Sequence, residues 1–403
     1  MIGIQPWDFE IGCNFKDMAF VIAKHNRVIY VNRPLDRVTA WRLPDDIKTQ
    51  NRKQSIEKGE KVLEEVEKNL WVFNPQVMLE SINWLNHGFI YRYFNKRNNR
   101  KQAAAIDNAM QSLGFKNPVL FIDNDFFNGL YLQNFLKVDC TVYYLRDFLL
   151  AQPYFSKHGT ISEPELIKRV DLVVANSLYL TSYAKQYNPN SFYIGQGCGD
   201  LFFKPIAGET PKDLVNIKNP VIGYCGFLTS ARLDIKLLGE IAKARPGWSL
   251  VLVGPEDDDF KKSELHVMPN IYFLGRKTEP ELPAYVSRFD VCLNPQLINQ
   301  LTIGNYPRKV DEYLALGKPV VATATETMEA FANCTYLCKD SDEYVLAIEK
   351  ALEEDNAQKL QLRKEVAASH SWENSINLFY NAVASHKNKN CFNLYWTGYF
   401  FRT

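Results

Sequence analysis

The sequence predicts an α/β protein of two Rossmann-like, parallel-sheet halves in tandem, and three observations carry that reading. The chain has 403 residues, enough for two to three domains at roughly 150 residues each. Short β-rich runs alternate with helical patterns along its whole length, as repeated βαβ units require. The alternation lapses across Gly195–Asn219, which has little periodicity, and a second series begins at Pro220. We therefore expect an N-terminal half over 1–196, a linker over 197–219 and a second half over 220–370.

The first half opens with a strand over Ile2–Trp7 and a loop holding Asp8, Gly12 and Asn14. A helix follows with Phe15, Met18, Ala19 and Ile22 on one face. RVIYV (27–31) returns as the second strand. Further strands are expected at 70–73, 119–122, 141–145, 171–175 and 192–194. Residues 42–69 are polar, an excursion with a helix expected near 56–67. In the second half, strands are expected at 221–225, 249–253, 271–274, 291–293 and 319–322. Helices are expected at 234–245 and 307–316. Tandem doubly wound halves imply a facing cleft, with ligand beyond the carboxyl ends of strands where helix N-termini meet it. A nucleotide or phosphate suits that position.

Composition excludes several classes. With 25 Phe, 21 Tyr and 7 Trp the chain is no disordered polymer. A net charge of +1 argues against nucleic-acid binding by bulk charge. The eight Cys are scattered and read as buried thiols in a reducing compartment; Cys334 and Cys338 form a lone C-x3-C with no partner pair for a metal. No apolar run reaches the roughly 18 residues of a membrane span, and MIGIQPWDFEIGCN lacks the pattern of a signal peptide. A cytoplasmic protein is expected. Residues 1–196 carry a net +4 and residues 197–403 a net −3. The basic excess peaks in YRYFNKRNNRK (91–101), a solvated helix face or a contact with an anionic membrane surface or phosphate-bearing acceptor.

The chemistry concentrates in NQLTIGNYPRKVDEYLALGKPVVAT (299–323). Pro307 suits the first turn of a helix. Lys309 then lies beside any anion held at that end, and Glu312 follows on the same side by i,i+3 spacing. A cation for phosphate and a carboxylate for a vicinal diol, about 4.5 Å apart along the axis, fit a ribose diphosphate. The same spacing also suits a surface ion pair of little worth. Gly317 ends the helix.

PRKVDEYLALGKPVVAT closely resembles the donor-binding segment of GT-B glycosyltransferases of the group 1, GT4-like type, which includes bacterial polysaccharide-assembly enzymes. IGYCGFLTSARLDIKLLGEIAKAR (222–245), SLVLVGP (249–255), IYFLGRKTEPEL (271–282) and VCLNP (291–295) resemble the same domain's strands and loops. Ser371-Trp372-Glu373 resembles the start of that family's terminal helix, which crosses back to the N-domain over about 371–387. The opening QPWDFEIGCNFKDMAFVIAKHNRVIYVN resembles the N-domain of the polysaccharide-assembly members. The resemblance is dense over 220–385 and thinner over 1–196.

By that resemblance Glu312 holds the donor ribose, Lys309 and Arg232 face the diphosphate, and Gly226 lets backbone approach it; Asn305 and Gly12 join the donor-binding set. Arg232 also reads as a surface charge at a helix start, and Lys277 as a flank of the base pocket or a solvated loop lysine. Many retaining members carry a second Glu eight residues before the ribose-binding one. Here that position is Gly304, and 299–302 stand in the corresponding loop. No metal and no cofactor are implied; the nucleoside-diphosphate sugar, of UDP or GDP type, is the substrate.

Attack by an acceptor hydroxyl calls for a base on the N-terminal half. Asp147 in VYYLRDF, beside Arg146, is the first candidate, followed by Asp125 and Asp8; Asp123 precedes Asp125 at the same strand end. Each also suits a turn or cap. His158 reads as a surface residue and His25 as a helix C-cap. The tail 388–403, rich in aromatics, reads as a surface anchor, a partner-binding strand or an extension. The expected activity is transfer of a sugar from a nucleoside-diphosphate sugar to a hydroxyl of a saccharide or lipid-linked acceptor in cell-surface polysaccharide synthesis. Peripheral membrane association through the basic N-domain is part of that expectation. A silent nucleotide-sugar-binding scaffold and a non-hydrolysing nucleotide-sugar epimerase are the alternatives.

Overall fold

The computed structural model describes residues 1–8, 13–206 and 210–390. Its contacts divide the chain into one unit of Met1–Ile194 with the segment from Ser375, and a second of Gly195–Asn374.

In the first unit the strands are β1 (Ile2–Gly3), β2 (Val28–Val31), β3 (Leu35–Asp36), β4 (Leu63–Glu67), β5 (Leu70–Phe73), β6 (Met78–Leu79), β7 (Val119–Asp123), β8 (Cys140–Leu145), β9 (Leu172–Ala175) and β10 (Ser191–Tyr193). Eight form one sheet in the order β10-β9-β8-β7-β1-β2-β5-β4, while β3 and β6 pair separately. All its ladders are parallel except the β4–β5 edge. Strands such as β8 and β9 are buried along their full length, as parallel strands covered on both faces must be. The chain order reverses between β1 and β7, which opens a crevice at their carboxyl ends.

Two expectations change here. The first strand stops at Gly3, not Trp7. Pro6 has no N–H for the ladder, and the Trp7 amide donates instead to Asn32 Oδ1 at 2.6 Å. A helix Arg37–Arg42 precedes the excursion, which holds helix Ile47–Lys58, with β4 where helix was expected over 63–67. Asp36 and Asp46 cap those helices, and left-handed Gly59 (φ +69°) ends the second.

The second unit has β11 (Val221–Cys225), β12 (Ser249–Val253), β13 (Ile271–Gly275), β14 (Val291–Asn294), β15 (Val320–Thr323) and β16 (Tyr336–Cys338). They form a six-stranded sheet in the order β13-β12-β11-β14-β15-β16, parallel throughout. Period-2 alternation sends Ile222, Tyr224, Leu250 and Leu252 to one core, and Val221, Cys225, Val251 and Val253 to the other. The sheet's switch point lies between β11 and β14. Helix Ile235–Ala244 is capped by Asp234, which accepts from the Leu237 amide at 3.0 Å.

The last helix, Trp372–Asn390, leaves the second unit after Asn374 and packs on the first. Ser375 Oγ donates to the Ile194 carbonyl at 2.6 Å, Phe379 meets Phe121 with ring centroids 4.9 Å apart, and Lys387 pairs with Asp139 at 3.0 Å. Of the seven described cysteines, all free thiols, 13, 140, 198, 225, 292 and 338 are buried and Cys334 is half-buried. Gly12 and residues 391–403 of the aromatic tail lie outside the described residues.

Candidate functional site

In the second unit, β11 ends at Gly226 with φ +149°, and β12 ends at Gly254 with φ +148°. The two ends meet backbone to backbone: a Cβ on Gly254 would stand 1.9 Å from the Gly226 carbonyl oxygen. On Gly226 itself a Cβ would meet Lys309 Cε at 1.9 Å and Nζ at 2.8 Å. Lys309 belongs to helix Arg308–Ala315, so a glycine at 226 is what lets that lysine lie against the strand end.

The helix is fixed by its buried face of Val310, Tyr313 and Leu314. The Tyr313 hydroxyl accepts from the Cys225 amide at 2.9 Å, tying helix to strand at the level of the site. Pro307 is the N-cap and makes no side-chain cap bond, so the helix starts one residue later than expected. Gly317 (φ +74°) closes it.

Lys309 Nζ lies 5.6 Å from the Tyr224 ring centroid. The neighbouring Tyr224 holds its pKa above the ordinary value; burial opposes this and Glu312 supports it. The lysine is therefore a cation at neutral pH. Glu312 pairs not by i,i+3 with Lys309 but by i,i+4 with Arg308, Nε to Oε1 at 3.0 Å. Arg308 also reaches Glu279 at 3.8 Å. Burial raises the Glu312 pKa, against the charges of Arg308 and Lys309. A carboxylate and an ammonium thus flank one strand end, each with a separate neighbour.

Arg232 stands in the turn before helix 235–244, half-buried. Its carbonyl accepts from the Leu297 amide at 2.9 Å, and Asn299 Nδ2 donates to the Ala231 carbonyl at 3.0 Å. The loop after β14 is thereby braced on this turn. Asn299 Oδ1 accepts from the Leu301 and Thr302 amides, so 299–302 form a side-chain-closed turn. Gly304 is buried and Asn305 half-buried, the Asn305 amide donating to the Thr302 carbonyl at 3.0 Å. Lys277 is no solvated lysine: it pairs with Asp213 at 2.6 Å and lies 4.9 Å from the Tyr285 ring centroid.

In the first unit, the switch point carries a cluster built on Arg146. Its Nε donates to Asp123 Oδ1 at 2.6 Å and its Nη1 to Asp147 Oδ2 at 2.9 Å. The Arg146 amide donates to Asn124 Oδ1 at 2.8 Å, and Asn124 Nδ2 to the Asp147 carbonyl at 2.7 Å. Burial opposes the guanidinium's charge, and the two carboxylates outweigh it. Asp123 is fully buried with its pKa raised by that burial, and its Oδ2 has no hydrogen-bond partner among the described residues. Asp147 is half-buried.

The other two base candidates do different work. Asp125 is fully buried, Oδ1 accepting from the Phe127 and Asn128 amides and Oδ2 from Asn128 Nδ2. It closes its own turn. Asp8 makes a two-pronged pair with Arg52 at 2.6 and 3.0 Å, which anchors helix 47–58. His158 is corrected outright. It lies in helix Pro153–Arg169, fully buried and stacked on Tyr91 with centroids 4.0 Å apart, and burial lowers its pKa.

Sequence reasoning missed Tyr224, Gly254, Arg308 and Tyr313, and preferred Asp125 to Asp123 at the same strand end. Arg308 stands at i−4 from Glu312, a spacing that was available to read. The part played by Tyr313 depends on which strand lies beneath the helix, and one-dimensional pattern does not carry that.

Comparison with known proteins bears on the family and the fold. Residues 219–354 match the family described as glycosyl transferases group 1. A stretch of 159 residues is 29% identical to the putative teichuronic acid biosynthesis glycosyltransferase TuaH of Bacillus subtilis, covering 38% of this chain and 40% of that protein. The match therefore spans less than half the length of this relative. Anabaena Alr3699/HepE, solved in complex with UDP, superposes with a TM-score of 0.66 at 15% identity over 95% of this chain and 98% of its own. The α,α-trehalose 6-phosphate synthase of Burkholderia multivorans gives 0.66 at 11% identity over 97% and 99%. Sucrose-phosphate synthase of Thermosynechococcus elongatus gives 0.58 at 16% over 93% and 90%. At these identities the likeness is one of fold, and the fold is GT-B.

Proposed function

We propose, from the match of residues 219–354 to the group 1 glycosyl transferases, that this chain moves a sugar from a nucleoside-diphosphate sugar to a hydroxyl of a saccharide or lipid-linked acceptor. The setting is bacterial cell-surface polysaccharide assembly on the cytoplasmic side; TuaH by its name is a putative glycosyltransferase of teichuronic acid biosynthesis. The observation that carries the proposal is the contact between Gly226 and Lys309, with Glu312 one turn along.

The donor diphosphate lies over Gly226, where the absent Cβ leaves room, and takes its counter-charge from Lys309 and Arg232. Cations and a helix N-terminus neutralise the leaving group, and no divalent ion is required. Glu312 accepts from the ribose hydroxyls, with Arg308 fixing its carboxylate. Asn305 borders the same helix start. The nucleotide is of UDP or GDP type; UDP is the nucleotide in the HepE complex.

On the acceptor side, Asp147 takes the proton of the attacking hydroxyl as its oxygen bonds to the anomeric carbon and the nucleoside diphosphate departs. Arg146 orients Asp147, and Asp123 holds Arg146. A thermal-shift panel of UDP, GDP, ADP, CMP and dTDP, with and without magnesium, tests the donor site. One responder is expected, indifferent to magnesium and lost in Glu312→Ala; no response from the wild type overturns the reading. A silent scaffold is the second reading, favoured by Gly304 where many relatives of the retaining type carry an acid. It predicts nucleotide binding with no transfer by the wild type and no effect of Asp147→Asn.

A further inference from the structure

The helix Arg308–Ala315 carries an acid that the transfer chemistry does not use. Asp311 stands one residue before Glu312 and is fully buried. Both of its oxygens accept: His370 Nδ1 donates to Oδ1 at 2.8 Å, and the Tyr306 hydroxyl donates to Oδ2 at 2.6 Å. Phe331 closes the group, its ring centroid 5.3 Å from that of His370 and 5.8 Å from that of Tyr306. Helix Ala357–Ser369, which ends at His370, also holds the far end of the same helix. Arg363 Nε donates to the Gly317 carbonyl at 2.8 Å, and a Cβ on Gly317 would stand 2.6 Å from Leu360 Cγ. One element thus grips the helix that bears Lys309 and Glu312 at both of its ends.

His370 is presented from a fixed backbone. Its amide donates to the Ala367 carbonyl at 3.0 Å, and its carbonyl accepts from the Cys198 amide at 2.8 Å. Burial opposes the charge of the imidazole and Asp311 outweighs it, so His370 keeps its proton above the ordinary histidine range. Its side chain is 24% exposed, open to proton exchange with solvent. Burial raises the Asp311 pKa; His370, Tyr306 and the charge of Arg308 work against it. The other ionisable groups around the pair are accounted for. The Cys334 thiol is pushed up to about 11 by burial and by Asp311 and stays neutral, Arg363 is paired with Asp355, and Glu373 is exposed. Arg308 is the group with two claims on it. It lies three residues before Asp311 and four before Glu312, so both carboxylates are within helical reach. In the structure it sits on Glu312 at 3.0 Å.

We infer that His370 is a positioning residue for nucleotide binding: as an imidazolium it satisfies Asp311 and leaves Arg308 on Glu312, and when it loses its proton Asp311 competes for Arg308 and Glu312 loses its brace. The proton that leaves is the one on Nε2, because Nδ1–H stays bonded to the carboxylate. The hydrogen bond therefore survives and only the charge goes. A buried carboxylate stripped of its counter-charge is costly, and Arg308 is the cation one helical turn away that can replace it. Folded His370 holds its proton to higher pH than the unfolded chain does. The contribution of the pair is complete below the ordinary histidine pKa and is lost as pH rises through the folded value. Nucleotide affinity falls across the same window. The inference rests on the reading of Glu312 as the ribose-binding acid and adds to it a residue that meets no substrate.

The test is calorimetric titration of UDP and of GDP into the full chain, into His370→Gln and into the double variant of His370→Gln with Asp311→Asn, at pH 6, 7.5 and 9. Glutamine keeps a donor without a charge and so copies the deprotonated imidazole. At pH 6 it should weaken nucleotide binding about fivefold. The gap should close by pH 9, where the wild type has lost the same charge. Ionisation of the nucleotide itself is common to both proteins and cancels in their ratio. Asp311→Asn removes the competing carboxylate, so the double variant should bind more tightly than His370→Gln at pH 6 and more tightly than the wild type at pH 9. A merely structural hydrogen bond gives no such recovery. Equal affinity of wild type and His370→Gln at pH 6, a ratio that does not change with pH, or a double variant no better than the single one overturns the inference and leaves the donor site standing. Absence of binding by the wild type to either nucleotide at any pH overturns the donor-site reading, and this inference with it. Should the buried substitution not fold, the ratio of wild type to His370→Gln carries the test.

Discussion

Lys309 occupies the space that any side chain at position 226 would need, its Cε lying 1.9 Å from where a Gly226 Cβ would stand. Gly226→Ala therefore meets two penalties, a displaced lysine and a φ of +149° that L-residues rarely adopt. We expect a loss of about 1–3 kcal/mol in stability and a larger proportional loss of nucleotide binding. The control is the double variant with Lys309→Ala. It relieves the collision and leaves the φ strain, so unfolding stability should recover in part while nucleotide stabilisation does not. Equal nucleotide stabilisation in the wild type and Gly226→Ala argues against a diphosphate at this strand end.

Glu312→Gln keeps the shape of the side chain and removes its charge from Arg308. A neutral amide still bonds a ribose hydroxyl, so nucleotide affinity should fall about tenfold or less, whereas Glu312→Ala should remove nearly all of it. Calorimetric titration with the responding nucleotide distinguishes the two. An equal loss in both variants assigns the effect to Arg308 and Lys309 left without their carboxylate.

Most strands of both sheets were legible because parallel strands buried on both faces leave unbroken apolar runs, as in VIGYC and SLVLV; β4, read as helix, and β16, read as no strand, are edge strands without such runs. The donor helix was legible from Pro307, Gly317 and the apolar positions between them. Less legible was anything decided by a contact across the fold. Lys309 and Glu312 look like an i,i+3 pair in one dimension; the strand end at Gly226 draws the lysine away and leaves the glutamate to Arg308. Asp125 and Asp123 look alike in FIDND, but only Asp123 ends the strand with its carboxylate toward Arg146. His158 looked exposed between Lys157 and Gly159, yet Gly159 lets the helix pack so closely that a Cβ there would stand 2.5 Å from Leu150.

The Arg146 cluster separates chemistry from folding. Asp147→Asn should lower turnover by roughly 10²–10⁴ with nucleotide stabilisation unchanged, because the two sites lie in different units. Asp123→Asn instead takes the buried partner from Arg146 and should cost about 3 kcal/mol in stability. Chemical denaturation together with a donor-consumption assay reads both. A stable, inactive Asp123→Asn protein with normal nucleotide binding would move the base from Asp147 to Asp123.

Glu163 supplies the clearest pH dependence. It is fully buried in the first unit, accepting from the Tyr143 hydroxyl at 2.7 Å and the Tyr183 hydroxyl at 3.2 Å. Burial raises its pKa to about 7, with the two tyrosines pulling the other way. Between the ordinary carboxylate range and about pH 7 the folded protein keeps this proton while the unfolded chain has lost it. The folded state then binds more protons, and stability falls as pH rises across that window. Below it both states are protonated and the contribution is flat; above it the full cost of a buried carboxylate is present. Glu163→Gln should remove this slope, leaving the variant more stable than the wild type at pH 8 and close to it at pH 4. Denaturant midpoints across pH 4–8 check the sign: a wild type that gains stability over this window relative to Glu163→Gln shows that the two tyrosines outweigh burial and hold the carboxylate ionised.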